Sequence, residues 1–211
     1  MQTAKYILFQ RTEYLPKWAL YLPYKLGVSL AALLFSRQVV RRYIEDMRKE
    51  YELIAEHVGA PTSVLDIGSG IGGINVFFNA DICLLDKTTT EDKIYYHFKD
   101  RGAFYNSLDL AQKFVRSHSN NVVTTYEADG NLPDDRYDLI LSLQSCGFHY
   151  PVDTYLGKAY NKLVAGGAIV LDVRKNTGGY EKVKERFGNV KVILESKKFV
   201  RVVAYKLHQV T

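Results

Sequence analysis

The chain has 211 residues, 47% apolar and 24% charged, enough for one domain with a full core plus an extension, and without the bias of a disordered or fibrous chain. Its two cysteines, Cys83 and Cys146, lack metal or redox spacing, which argues against a disulfide-stapled fold and predicts a reducing, cytoplasmic setting. The net charge of +5, with a pI near 9.0, is compatible with an anionic substrate, a nucleic acid or a membrane surface and selects none of them.

No secretory signal is visible in the first residues. The first apolar run, Leu26 to Phe35, falls well short of the roughly 20 residues a membrane span needs and reads as a buried helix. Residues 1–60 read as a helical arm. Aromatic residues (Tyr6, Phe9, Tyr14, Trp18, Tyr21, Tyr24) crowd its start, and Pro16 and Pro23 break it into short pieces. Ser36 is placed to cap a helix from about Arg37 to Val58, with Val39, Tyr43, Ile44, Met47, Tyr51 and Ile54 on one face and Gly59 and Pro61 beyond its end. This arm is either structural packing or a lid over a site.

Residues 61–211 read as a second unit. Val64 to Ile67 is a short β-prone run carrying Asp66, and it breaks into Gly68-Ser69-Gly70-Ile71-Gly72-Gly73. Ile71, Ile74, Val76, Phe77 and Phe78 then predict a helix start. Strand, glycine turn and helix N-terminus together form a cradle for a nucleotide-like ligand. A second strand, Ile82 to Leu85, ends at Asp86, so two carboxylates emerge at the C-terminal ends of neighbouring parallel strands. Residues 87–105 form a long connection with the aromatic run Tyr95-Tyr96-His97-Phe98, flanked by Lys93 and Lys99; a small packing helix and a substrate wall are both open. Asn106 or Ser107 is placed to cap a helix to about Ser117. Strands follow at Val122–Tyr126, Tyr137–Leu143 and Ala168–Val173, with a helix at Val152–Leu163 ended by Gly166-Gly167. A basic helix near Tyr180–Phe187 precedes a hairpin, Val190–Leu194 with Phe199–Tyr205. The expected fold is α/β: a doubly wound, seven-stranded, mostly parallel sheet with an antiparallel C-terminal hairpin.

Gly68, Gly70 and Gly73 satisfy a dinucleotide fingerprint, with Asp86 at a suitable distance. Three features argue against a nicotinamide or flavin enzyme. Asp66 precedes the first glycine by two positions, Asp129 follows the third strand, and the remaining length holds no second mononucleotide half. In this order the segments resemble the class I S-adenosylmethionine-dependent methyltransferases over about residues 60–206. Asp66-Ile67-Gly68-Ser69-Gly70-Ile71-Gly72 looks like that family's glycine loop, and Ala128-Asp129-Gly130-Asn131-Leu132-Pro133 like its adenine-contacting stretch. The resemblance implies S-adenosylmethionine as cofactor. Asp66 would organise the methionine amino end, Gly68, Gly70 and Gly72 would pass beneath the cofactor, and Ile71 would line it. Asp86 would take the ribose, Asp129 and Gly130 the adenine, and Gln144 the methionyl part; Ser69 and Lys87 complete the implied set.

The acceptor is sought in Gln144 to Tyr150, the segment after the fourth strand. It lacks the Asn-Pro-Pro-Tyr pattern of adenine or amide N-methylation, a Pro-Cys nucleophile, and an acidic pair that would point to magnesium; no metal is expected. His149 is the candidate base, since an imidazole of ordinary pKa near 6.5 removes a proton at neutral pH; Tyr150 and His97 are further candidates. The expected acceptor is an O or N nucleophile on a small molecule. The alternatives are an RNA methyltransferase using the basic C-terminal third, from Arg174 to Lys206, and a non-catalytic cofactor-binding partner subunit. A cyclisation using the same cofactor would leave similar motifs.

Overall fold

A computed structural model describes residues 1–88, 93–96, 99–103 and 106–207. The strands in chain order are β1 (Ser63–Ile67), β2 (Asp81–Asp86), β3 (Lys93–Tyr96), β4 (Lys99–Ala103), β5 (Val123–Glu127), β6 (Tyr137–Ser142), β7 (Leu163–Arg174), β8 (Val190–Glu195) and β9 (Phe199–Tyr205). The α-helices are α1 (Gln2–Gln10), α2 (Tyr24–Val58), α3 (Leu108–His118), α4 (Leu156–Lys162) and α5 (Gly179–Phe187). Seven strands form one sheet in the order β5-β2-β1-β6-β7-β9-β8. Pairing is parallel from β5 to β7 and antiparallel through β9 and β8, as the sequence predicts.

Period-two alternation divides the core. Val64, Ile82, Leu84, Leu139, Leu141, Val170 and Val203 face the side covered by α2 and α3. Their neighbours Leu65, Leu85, Ile140, Ile169, Leu171 and Val202 face α4 and α5. The buried residues of α1 and α2 (Ala4, Ile7, Leu8, Tyr43, Ile54) join the first cluster, so the arm and the sheet share a continuous apolar contact.

Several local expectations change. The glycine turn leads into a single 3-10 turn, Gly73–Val76, and no α-helix. Helix α2 already covers that side of the sheet: Tyr43 Oη accepts a hydrogen bond from Gly73 N (3.2 Å), and Tyr51 meets Phe77 and Phe78 at ring distances of 5.7 and 5.0 Å. The run Leu26–Phe35 is helical but only half buried, with Gly27, Val28, Ala31 and Ala32 inward and Leu26, Leu33 and Leu34 exposed. It continues into the predicted second helix across a kink at Phe35 (φ −124°, ψ 22°), so Ser36 lies inside α2 and does not start a separate helix. Ser107 caps α3, its Oγ accepting from Leu110 N (3.2 Å). Helix α4 stops at Lys162, before Gly166-Gly167, because Leu163 is already extended and opens β7. The connection after β2 holds the antiparallel hairpin β3–β4 in place of a helix. His97 and Phe98 lie outside the described residues.

Asp172 in β7 and Arg201 in β9 are charges set among apolar neighbours, and both are fully buried. Alternation turns them toward α2, where Arg201 donates from Nε and Nη2 to the two Asp172 oxygens (2.7 and 2.9 Å) and from Nη1 to Glu50. Burial pushes the Asp172 carboxyl up, and the Arg201 guanidinium pulls it back toward the charged form. The buried Arg201 therefore does not contribute to a basic C-terminal surface. Arg201→Ala strands Asp172 and should lower the unfolding free energy by about 3–5 kcal/mol, read as a reduced urea midpoint.

Candidate active site

Parallel strands β2, β1 and β6 deliver their C-terminal ends to one edge, where the strand order reverses about β1 and a crevice opens. Gly68 (φ 74°) and Gly70 (φ 56°) take the left-handed region. A Cβ at Gly68 would stand 1.9 Å from Ser145 Oγ, and one at Gly70 would stand 2.8 Å from Gln10 Oε1. The turn is anchored from behind by Gly68 N donating to Leu85 O (2.7 Å) and Gly72 N donating to Ser69 O (2.8 Å).

Asp66 is buried at the end of β1 and accepts from Asn75 Nδ2 at 2.6 Å. Asp86, also buried, accepts from Gly70 N and Lys87 N, both at 2.7 Å. Burial pushes Asp66 up to about 7, the Asn75 hydrogen bond opposing it and the Asp86 charge adding to it. Burial likewise pushes Asp86 up to about 6 against its two backbone donors. Beside them the Ser69 hydroxyl is buried and has no hydrogen-bond partner among the described residues.

The loop after β6 forms the opposite wall. Ser142 Oγ donates to Ile67 O (2.8 Å) and accepts from Cys146 N (2.9 Å), tying the loop to β1. Gln144 adopts φ 54°, and its N–H donates to Asp172 Oδ2 (3.1 Å), so a buried carboxylate holds this left-handed residue. His149 is set by its N–H donating to Ser145 O (2.8 Å) and by edge contact with Phe148 (4.9 Å).

These parts line a half-open cavity of about 180 Å³ whose lining includes Asp66, Gly68, Ser69, Gly70, Asp86, Gln144 and His149. The arm supplies further lining: Gln10 at the end of α1, Arg11 just after it, and Tyr43, Met47 and Glu50 on one face of α2. Other candidates lie elsewhere. Ile71 is fully buried in the core, with Ile74 lining the cavity instead. Gly72 faces Val115 and Leu84. Lys87 is exposed and touches the site through its backbone N–H. Asp129 is exposed and accepts from Asn131 N (2.8 Å), which holds its carboxyl below the usual range. Asp129 and Gly130 do not line this cavity; they lie on the β5 side of Asp86, joined to it by Ala128 N donating to Asp86 O (3.0 Å). The Tyr150 hydroxyl meets Ser145 Oγ at 3.1 Å, and burial raises its pKa well above that of an ordinary tyrosine; Tyr150 reaches the cavity only through Ser145. Glu50 and Arg201 were missed as lining residues. Their signal was a lone charge on an apolar stripe, in the Tyr43, Met47, Glu50, Ile54 face and in the strand Val200–Ala204.

No family model and no curated protein sequence matches the chain. Solved structures do. A methyltransferase from Pyrococcus furiosus matches at 16% identity and TM-score 0.51, covering 77% of this chain and 83% of that one. The N-methyltransferase NodS from Bradyrhizobium japonicum WM9, in complex with S-adenosyl-L-homocysteine, matches at 12% identity and TM-score 0.52 (77% and 86%). The T. thermophilus 16S rRNA N2 G1207 methyltransferase RsmC, in complex with AdoMet and guanosine, matches at 16% and 0.52, and this chain spans 41% of its length. The fold is that of the class I S-adenosylmethionine-dependent methyltransferases.

Because Asp66 and Asp86 bind protons more readily folded than unfolded, their contribution to stability is greatest below about pH 4 and is lost as pH rises through about 6 to 7. Asp66→Asn keeps an acceptor for Asn75 and removes one of the two charges. In a melting series it should melt above the parent at pH 8, the gap closing toward pH 4.

Proposed function

We propose that the chain is an S-adenosylmethionine-dependent methyltransferase acting on an oxygen or nitrogen nucleophile of a small molecule, without a metal, with His149 as base. The observation that carries this reading is the convergence of Asp66, Asp86, the glycine turn and His149 on one cavity at the switch point of this sheet. When bound, the cofactor supplies a methyl group on a sulfonium. Its ammonium and sulfonium charges suit a site whose carboxylates are hard to ionise alone: a bound cation favours the charged form of Asp66. The open Ser69 hydroxyl and the bare backbone at Gly68 and Gly70 fit a polar ligand that approaches closely. Asp86 has the ribose role, Asp129 and Gly130 form the adenine rim, and Gln144 and Ser145 flank the methionyl end. Gln10 and Arg11 cover the turn from the arm, which supports the lid reading of residues 1–60.

On the acceptor side His149 orients the nucleophile and takes its proton, while Met47 and Tyr43 give the cavity an apolar wall. A small acceptor suits a pocket closed by the arm. The basic C-terminal third supports an RNA acceptor less well, because several of its charges have local partners. Lys175 pairs with Glu195 (2.6 Å), Lys182 pairs with Asp153, Lys206 Nζ donates to Tyr160 O and Leu163 O, and Arg186 stacks on Tyr160.

Calorimetry with S-adenosylhomocysteine and with NAD tests the cofactor: binding of the first and not the second is expected, and the reverse overturns the assignment. His149→Ala should retain S-adenosylhomocysteine affinity and lose roughly 100-fold or more in turnover with an acceptor found by screening small hydroxyl and amine compounds. Full turnover in that variant removes His149 from the chemistry.

A further inference from the structure

The arm carries an apolar surface that the fold does not use. Apart from Lys25 and Ser29, α2 carries apolar residues on both sides from Tyr24 to Leu34. Gly27, Val28, Ala31 and Ala32 pack inward, where a Cβ at Gly27 would meet Ala19 O at 2.4 Å, and Leu26, Leu33 and Leu34 point outward. Leu33 and Leu34 are each 61% exposed. A helix apolar all round is ordinarily covered on all sides. The preceding 3-10 turn, Lys17–Tyr21, adds Trp18, Leu20 (66% exposed) and Tyr21 (89% exposed).

Charge selects what covers this surface. Between Glu13 and Glu45 the sequence holds Lys17, Lys25, Arg37, Arg41 and Arg42 and no acidic residue. That stretch alone carries as much positive charge as the net +5 of the whole chain. Arg41 lies near Glu45 (3.8 Å) and Arg42 over Tyr14 (4.4 Å), so part of this charge is shared locally. A second copy would set the same cations against one another, because a two-fold interface pairs each patch with itself. Exposed leucines with tryptophan and tyrosine among lysines and arginines match a segment lying in a bilayer interface, apolar side chains in the acyl boundary and cations at anionic headgroups. The segment does not cross: no helix among the described residues is long and apolar enough. From Tyr24 to the kink the helix is about 16 Å long, against a hydrocarbon core of about 30 Å.

We infer that residues 17–42 dock the protein onto an anionic membrane surface, with Trp18, Leu20, Tyr21, Leu26, Leu33 and Leu34 inserting. This is independent of the proposed methyl transfer, and its test needs no turnover. Trp18 is the only tryptophan, so its emission reports insertion. The full chain should float with vesicles of phosphatidylcholine containing about one-third phosphatidylglycerol and not with phosphatidylcholine alone. Its emission should shift to the blue on binding, and salt should weaken the binding. The double variant Leu33→Glu/Leu34→Glu, changed only at exposed positions, should keep its melting temperature and its S-adenosylhomocysteine affinity and lose at least about tenfold in partitioning. Failure to float with anionic vesicles overturns the inference in favour of an acidic protein partner. So does equal binding of the double variant. Self-association without lipid that buries Trp18 and disappears in the double variant overturns it in favour of a second copy.

Discussion

The buried Asp172 carboxylate is the interaction on which the candidate site depends. One side chain on β7 receives two hydrogen bonds from Arg201 on β9 and one from the backbone of Gln144, and through Arg201 it reaches Glu50 on α2. Three separate parts of the chain, the arm, the loop after β6 and the C-terminal hairpin, are thereby held at one end of the sheet. A guanidinium so deeply buried requires bidentate partners to offset its desolvation, and that requirement fixes the position of α2 over the cavity. Gln144 could relax to an ordinary conformation were its N–H not held by the same group.

The second organising feature is the accumulation of negative charge at the strand ends. Burial raises the cost of ionising both Asp66 and Asp86. The Asp86 charge adds to the cost at Asp66 and the Glu127 charge to that at Asp86. The local compensation comes from Asn75 and two backbone N–H groups. In the proposed reading such a site suits a cationic ligand, because the binding of positive charge would relieve a penalty already present in the free protein. The usual contribution of an α-helix N-terminus is absent here, since only a 3-10 turn follows the glycines. In the proposed reading, recognition therefore falls to side-chain carboxylates, the unpartnered Ser69 hydroxyl and close backbone approach.

The arm serves the fold in two ways. Its long helix covers the face of the sheet that the helix after β1 would have covered, with Tyr43 and Tyr51 packing on the turn. Its first segment lays Gln10 over Gly70 and brings Arg11 to the same cavity. Its segment from Lys17 to Arg42 leaves Leu26, Leu33 and Leu34 exposed in a stretch whose charged residues are all basic.

Sequence alone determined the strands of the seven-stranded sheet, its parallel and antiparallel parts, and the glycine turn with its two carboxylates, because alternation, β-branched runs and glycine spacing are local signals. It did not determine the hairpin β3–β4. It also located the β6 loop with His149. It did not determine that the expected helix at Ile71 would shrink to one turn, because the competing cover by α2 comes from residues some thirty positions earlier. Nor did it separate Gly72 and Ile71, which face the core, from Gly73 and Ile74, which face the cavity, since the reversal of the chain at the turn decides direction. Glu50, Asp172 and Arg201 lie in apolar stripes, a signal the sequence reading did not use. Tertiary structure joined them, because a buried charge is tolerated only where distant chain segments bring its partners. The same tertiary packing turned a run that reads as uniformly buried, Leu26 to Phe35, into a helix with one face on the core and the other left exposed.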